Sequence, residues 1–589
     1  MKKRVDYFIH KNLKKFLSEQ LDYYIKNEVL DIDTLEQERF LDKHITRAKM
    51  VREIGEDIID FLAQIEDFQK RLWEKKKFVL STDYVITLDK IQEYAGEEFL
   101  SDIIDTILKN EKQLKEWEEL DFGKMEKEED LYLRKDLIDA EYKKLPLDTK
   151  YFSEDFKEQL LENITKNHNL DDILDGLLIK SENWQALNTI LEKYKEQVQT
   201  IYIDPPFNTG NDFAYLDKYQ NSSWLSLMEN RLNLSRYCLK EVGSIFLHLD
   251  YNANYYGRIL LDSLYGDCNF RNEIIWKRLT YKQTQVKGFG VIHDDIFYYT
   301  KSDNYLWENI RINYDYNQIK KYFCWLETPE GKNIKLSKNQ IDGNEPLPVG
   351  RRFALNPLIN LNPDRPNLRY ELFGFIRTWK YSKDKMDEYI KQGKVFQPSK
   401  DSLPQIKQYL DESEGMKLND LWLDISGVMG GSNEYQGFET QKPENLLKRI
   451  IESTSNESNL IMDFFLGSGT TTAVAQKLGR KWIGIEMGDH FWTVVMPRMK
   501  KVLFYDKSGI SKEKDVKERY NENKAGGFFK YQILEQYEDT LDNLEINTLD
   551  NEQMELEFGD KYLLRYFLEY ETKANPSLLN IDKLQSPFS

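Results

Sequence analysis

Residues 461–486 read IMDFFLGSGTTTAVAQKLGRKWIGIE. An apolar run feeds a turn that holds Gly467 and Gly469, and the run TTTAVAQKL that follows is helical in pattern. A second apolar run, WIGIE at 482–486, ends on Glu486. Glycines let a backbone approach a ligand closely, and a helix N-terminus favours polar or anionic groups. The acid nineteen positions after Gly467 falls at the tip of the next strand, where it can accept bonds from ribose hydroxyls. Strand, glycine turn, helix, strand and acid together predict a nucleoside-cofactor site. The third glycine of a dinucleotide fingerprint is missing, because Thr472 holds its place. On this feature alone a nicotinamide cofactor stays open.

The same alternation extends outward. Leu177–Ile179, TIYI at 200–203, SIFLHLD at 244–250, EIIW at 273–276 and IFYYT at 296–300 are strand candidates. Amphipathic stretches at 184–191, 223–241 and 443–453 are helix candidates. Alternating strand and helix predicts an α/β domain with a mostly parallel sheet covered on both faces. Residues 1–165 are glycine-poor and charged, and read as helical. Ile58, Phe61, Leu62, Ile65, Phe68 and Leu72 form an apolar stripe there. Residues 305–420 break the rhythm with loops rich in Pro, Asn and Arg, and read as an insertion. The expected division is 1–165 helical scaffold or interaction region, 166–304 and 421–505 the two parts of the α/β domain, 305–420 the insertion, and 506–589 a polar and acidic tail.

Composition narrows the class. The chain has 589 residues and 40 % apolar content, enough for several packed cores. Three cysteines and six scattered histidines offer neither a disulfide framework nor zinc-ligand spacing, so no metal is expected. No apolar run approaches membrane-spanning length and the start has no apolar h-region, which predicts a soluble protein of a reducing compartment. The net charge of −18 argues against a general polyanion binder, yet it hides local contrast. Ten carboxylates and no Lys or Arg fall in 535–560, whereas Lys277, Arg278, Lys282 and Lys287 cluster beside Trp276 and Tyr281. Lys277, Arg278 and Lys282 are candidate phosphate contacts.

The second chemical feature is Asp204-Pro205-Pro206-Phe207, directly after TIYI and followed by Asn208. Ligands of open α/β sheets bind at the carboxyl ends of strands, where this loop falls. A nucleobase amine is a poor nucleophile because its lone pair is delocalised into the ring. The Asp204 carboxylate and the Pro205 carbonyl offer two acceptors for its two N–H groups, turning the lone pair toward a methyl donor. The two prolines stiffen the loop. Phe207 offers a face on which a flipped base can stack.

These residues carry a resemblance. DPPF with FLGSG (465–469) resembles the amino-group DNA methyltransferases that use S-adenosylmethionine, and the order, catalytic loop first and cofactor loop last, resembles their β class. IKSENWQAL (179–187), IYIDPPFNTG, WLSLMENRL, GSIFLHLD, HDDIFYYTKSDNY (293–305) and QKPENLLKRII (441–451) are similar to the Mod subunits of type III restriction–modification systems. The similarity covers 170–304 and 421–505, and reaches 305–420 by position only.

The resemblance implies a Rossmann-like methyltransferase domain with permuted motif order, an inserted target-recognition domain, and adenine N6 as the acceptor in double-stranded DNA. Asp204, Pro205, Pro206 and Phe207 fall to the base. Asp463, Phe465, Gly467, Ser468, Gly469, Glu486, Lys442, Glu182 and Asn183 fall to S-adenosylmethionine. Asn208 joins Lys277, Arg278 and Lys282 as a substrate contact. Phe207 replaces the commoner Tyr, which keeps the stacking face. The family further implies a cytoplasmic homodimer with a helicase–nuclease restriction subunit as partner and no membrane association. Cytosine N4 as the acceptor, and a non-catalytic cofactor-binding recognition subunit, remain the alternatives. His248 reads as a strand-end residue, and Gly427–Ser432 lacks the lysine of a P-loop.

Overall fold

The computed structural model describes residues 12–30, 41–124, 143–210, 217–279, 288–362, 364–536 and 539. They form two compact units, Met1–Glu308 with Asp420–Ser589, and Asn309–Asn419.

The larger unit is built on an eleven-stranded sheet. Its strands are β1 Val79–Thr87, β2 Pro146–Asp148, β3 Gly176–Lys180, β4 Val198–Ile203, β5 Leu239–Leu249 and β6 Phe270–Lys277. They continue with β7 His293–Thr300, β8 Leu421–Trp422, β9 Leu460–Asp463, β10 Lys481–Glu486 and β11 Phe528–Leu534. The spatial order is β8-β6-β7-β5-β4-β9-β10-β3-β11-β1-β2. The block from β5 to β11 is parallel throughout. Antiparallel pairs flank it on both sides.

All six residues of β4 are buried, as a strand covered on both faces requires. Ile201, Ile203, Ile245, Leu247, Met462, Ile483 and Ile485 share one core with helix Asn221–Cys238. The topology places the site. From β4 the chain continues outward to β5, whereas β9, on the other flank of β4, leads to β10. Strand order reverses between β4 and β9, where open α/β sheets bind ligands. Ile201 pairs with Met462 across this seam, so the loops leaving the two strands emerge side by side.

Two sequence expectations need correction. The region 1–165 is mainly helical, but it also supplies β1 and β2. The apolar stripe of helix Leu41–Glu74 is covered only near its end, where Leu72 is fully buried, while Ile58, Phe61 and Leu62 stay exposed. The tail from 506 is not polar throughout. FFKYQIL at 528–534 forms β11 between β3 and β1, with Phe529 and Tyr531 buried. The alternation of FFKYQIL is a strand pattern, but its partners lie hundreds of residues upstream. The acidic run beyond 539 lies outside the described residues.

The smaller unit holds a five-stranded antiparallel sheet, in order Asn333–Lys335, Trp325–Glu327, Arg351–Pro357, Gln405–Tyr409 and Val395–Phe396. Leu358, Leu372, Trp379 and Met386 form its buried centre.

Candidate active site

The chain leaves β4 at Ile203 and enters the Asp204–Phe207 loop. Several groups pin this loop. The Trp224 indole Nε1 donates to the Pro206 carbonyl at 2.8 Å. Asp217, 2 % exposed, accepts the backbone N–H of Asn208 at 2.8 Å and of Thr209 at 3.0 Å. Asn208 has a φ of +61° and accepts the Tyr219 N–H at 2.7 Å through its side chain. Asn208, expected to touch substrate, therefore braces the loop with these groups.

Asp204 is the group this loop presents. Its Oδ2 accepts from the Lys442 ammonium. Its Oδ1 is buried and has no hydrogen-bond partner among the described residues. The Phe207 ring packs partly against the core, 5.9 Å from the His248 ring.

The second half of the site is the turn after β9. Asp463 accepts the Phe465 N–H at 3.0 Å and the Thr471 hydroxyl at 2.6 Å. Burial pushes its carboxyl up to about 7 against those two bonds, and the neighbouring charges of Asp204 and Glu486 act in the same direction. Gly467 and Gly469 take φ of +55° and +76°, the left-handed region where a side chain is strained. The turn leads into helix Thr470–Lys477.

Glu486, at the end of β10, accepts the Gly467 N–H at 2.9 Å and the Gly488 N–H at 2.8 Å. His490 lies 3.2 Å from its Oε2. Burial works to raise the Glu486 pKa. His490 and the two amides outweigh it and hold the carboxyl below its ordinary range.

One cavity of about 420 Å³ joins the two halves. Asp204, Pro206, Lys442, Asp463, Phe465, Gly467, Ser468, Glu486, Glu182 and Asn183 all line it. Pro205 and Phe207 continue the loop beside it. Gly469 is not in its wall and serves as the helix cap.

A sequence model of the DNA methylase family matches residues 198–496, half of the chain, from the first residue of β4 to the first of the helix Met496–Phe504. The chain belongs to the DNA methylase family. It is 28 % identical over 463 residues to the probable type III restriction-modification enzyme HindVI Mod subunit of Haemophilus influenzae, covering 69 % of this chain and 60 % of that one. It is 29 % identical over 331 residues to the type II methyltransferase M.EcaI of Enterobacter cloacae, covering 53 % and 67 %. To the type III restriction-modification enzyme EcoP15I Mod subunit of Escherichia coli it is 24 % identical over 369 residues, covering 52 % and 56 %. The chain thus spans less than two thirds of the length of the two Mod subunits.

Within this member of the DNA methylase family, several supporting residues are not legible in the sequence. Arg231 is 8 % exposed and binds both Glu182 and the Asn183 side-chain oxygen. Asn183 in turn donates to the Phe464 carbonyl at 2.9 Å, beside the glycine turn. Its signal was an arginine inside the apolar helical stripe of Trp224, Leu227, Met228 and Leu234. His248 is fully buried and is more than a strand end. Its Nδ1 lies 2.7 Å from the Tyr202 hydroxyl and its Nε2 3.3 Å from Asp294. Burial works to raise the Asp294 pKa, but His248 and Arg278 hold it below the ordinary range. Arg278, expected as a phosphate contact, pairs with Asp294 at 3.1 Å. Lys277 is half-buried at the end of β6. Lys282 lies outside the described residues.

Proposed function

We propose that this chain is an S-adenosylmethionine-dependent DNA methyltransferase acting on adenine N6, and the modification and recognition subunit of a type III-like restriction–modification system. The observation that carries this reading is the buried Oδ1 of Asp204, without a hydrogen-bond partner among the described residues, in a residue that lines the same cavity as Gly467 and Glu486. An acceptor without a donor in a buried wall is costly, and an amine N–H supplies the missing donor.

The residues present fit the cofactor. Asp463 is a carboxyl that burial, with Asp204 and Glu486 beside it, pushes up to about 7, and a cationic ligand would favour its ionised form. Phe438, Phe464, Phe465 and Ile485 give the cavity apolar surface, and Glu486 gives it an ionised acceptor. When bound, S-adenosylmethionine supplies a methyl group activated on a sulfonium. The chain's own part is to hold the acceptor. Asp204 Oδ1 and the Pro205 carbonyl accept the two amine protons, which turns the nitrogen lone pair out of the ring. Phe207 stacks on the flipped base. The surplus proton leaves to solvent.

In this reading the insertion 305–420, which contains the second compact unit, reads the target sequence. Double-stranded DNA is the substrate, and a second copy of the chain and a helicase–nuclease restriction subunit are the partners, in the cytoplasm. The chain's similarity to two Mod subunits of type III restriction-modification enzymes supports the restriction-subunit partner. No helix among the described residues is long and apolar enough to cross a membrane.

The test is transfer of labelled methyl from S-adenosylmethionine to unmethylated genomic DNA, followed by digestion to nucleosides. N6-methylated adenine nucleoside is the expected product. N4-methylated cytosine would move the acceptor. Cofactor binding without transfer, even with the restriction subunit added, would favour the non-catalytic recognition subunit.

A further inference from the structure

Lys442 lies in the QKPENLLKRII stretch, immediately before the helix Glu444–Thr454, and the family resemblance gives it to the cofactor. Its bonds point elsewhere. The ammonium donates to Oδ2 of Asp204, a residue 238 positions earlier in the chain, and to the Thr440 carbonyl at 3.3 Å. It also lies 5.4 Å from the centre of the Phe207 ring. Its backbone carbonyl accepts the Thr470 hydroxyl at 3.1 Å, on the first residue of the helix after the glycine turn. One residue therefore touches both halves of the site, through its backbone on the cofactor side and its side chain on the base side.

We propose that Lys442 is a positioning residue for Asp204, clamping Oδ2 so that Oδ1 alone is left to receive the amine of the base. The inference rests on the proposed methyltransferase reading and deepens it. The chemistry requires such a clamp. A carboxylate at the start of a loop can rotate about its last torsion and exchange its two oxygens, and a substrate N–H needs one acceptor in a fixed place. A cation on one oxygen breaks that equivalence. The side chains of Lys442 and Asp204 are only 10 % and 18 % exposed, so the pair is weakly screened by water. Thr440 and Thr470 hold the lysine in turn, which ties the position of the base acceptor to the cofactor turn.

The test uses the full chain with Lys442→Met and Lys442→Arg. Cofactor affinity is read by calorimetry without DNA, and single-turnover methylation of unmethylated genomic DNA is read at saturating cofactor. Lys442→Met is expected to bind cofactor within about twofold of wild type while its rate falls roughly 100-fold, the scale of losing one preorganised charge. Lys442→Arg keeps the cation and is expected to recover roughly tenfold or more of that loss. In an Asp204→Asn background, where Lys442 has no anion to hold, the Met substitution should cost less than about threefold further, because coupled residues are not additive. A roughly tenfold or greater loss of cofactor affinity in Lys442→Met with a near-native rate at saturation would overturn the proposal and return Lys442 to the cofactor. An unchanged rate, or a full further loss in the Asp204→Asn background, would overturn it equally. Failure of the wild-type chain to methylate any DNA would instead sink the methyltransferase reading, and this inference with it.

Discussion

The Trp224 indole donates to the Pro206 carbonyl at 2.8 Å, joining helix Asn221–Cys238 to the loop that presents Asp204. Trp224 is 1 % exposed, so this bond is shielded from water. Trp224→Phe keeps most of the packing and removes the donor, which costs about 1 kcal/mol of stability. Because the loop must hold Asp204 to a fraction of an ångström, methyl transfer is expected to slow roughly ten- to a hundredfold. Thermal melting and single-turnover rates measured side by side would show this split.

Asp463 predicts a pH dependence of cofactor binding. Its carboxyl titrates at about 7 in the folded chain because burial raises it. A cationic ligand favours the anion, so affinity should fall as pH drops below 7, by up to about tenfold per pH unit. The stability of the cofactor-free chain runs the opposite way. A carboxyl raised on folding stabilises the fold fully below its unfolded pKa and loses that contribution as pH rises through 7. Asp463→Asn should flatten both profiles, as calorimetry and thermal melts at pH 6 and pH 8 would report.

Glu444 predicts a coupling between fold and cofactor turn. It is fully buried and binds Lys477 at 2.9 Å, Arg498 at 3.0 Å and the Ile510 N–H at 3.1 Å. Arg498 also donates to Thr470 at 2.8 Å and to the Ser468 carbonyl at 3.2 Å, inside the glycine turn. Glu444→Gln leaves the buried Arg498 short of its anion, while Lys477 keeps Asp506 at 2.6 Å, and should cost about 3 kcal/mol. Denaturant titration gives the stability, and calorimetry should show weaker cofactor binding at temperatures where the variant stays folded.

His248 predicts a purely structural loss behind the base loop. His248→Leu strips partners from Tyr202 and Asp294, both buried, and should cost about 2–4 kcal/mol. His248→Gln retains a donor and an acceptor and should recover part of it, as paired melting curves would reveal.

Much of the site was legible because its chemistry is local. Asp204-Pro205-Pro206-Phe207 and the Gly467 turn each sit at the end of an apolar run, so strand pattern and turn chemistry suffice to find them. Their neighbourhood is not local. It depends on β4 and β9 pairing across more than 250 residues, which only the order of the two motifs hinted at. Lys442 on Asp204 and Arg231 on Glu182 are charge pairs, and Asp217 is a carboxylate that accepts the loop's backbone amides; no periodicity identifies the partners of any of the three. The same limit hid β1 and β11, whose junction ties Thr87 to Gly527 across 440 positions. Each strand looks unremarkable until the other is beside it.

In the proposed function Asp204 receives the amine of the base. The most direct measurement compares wild type with Asp204→Ala for cofactor affinity and for labelled methyl transfer to genomic DNA. Near-native cofactor binding is expected, with a rate lowered by roughly 1,000-fold or more, since the group acts only on the acceptor. An Asp204→Ala chain that methylates DNA at a rate close to wild type would contradict it.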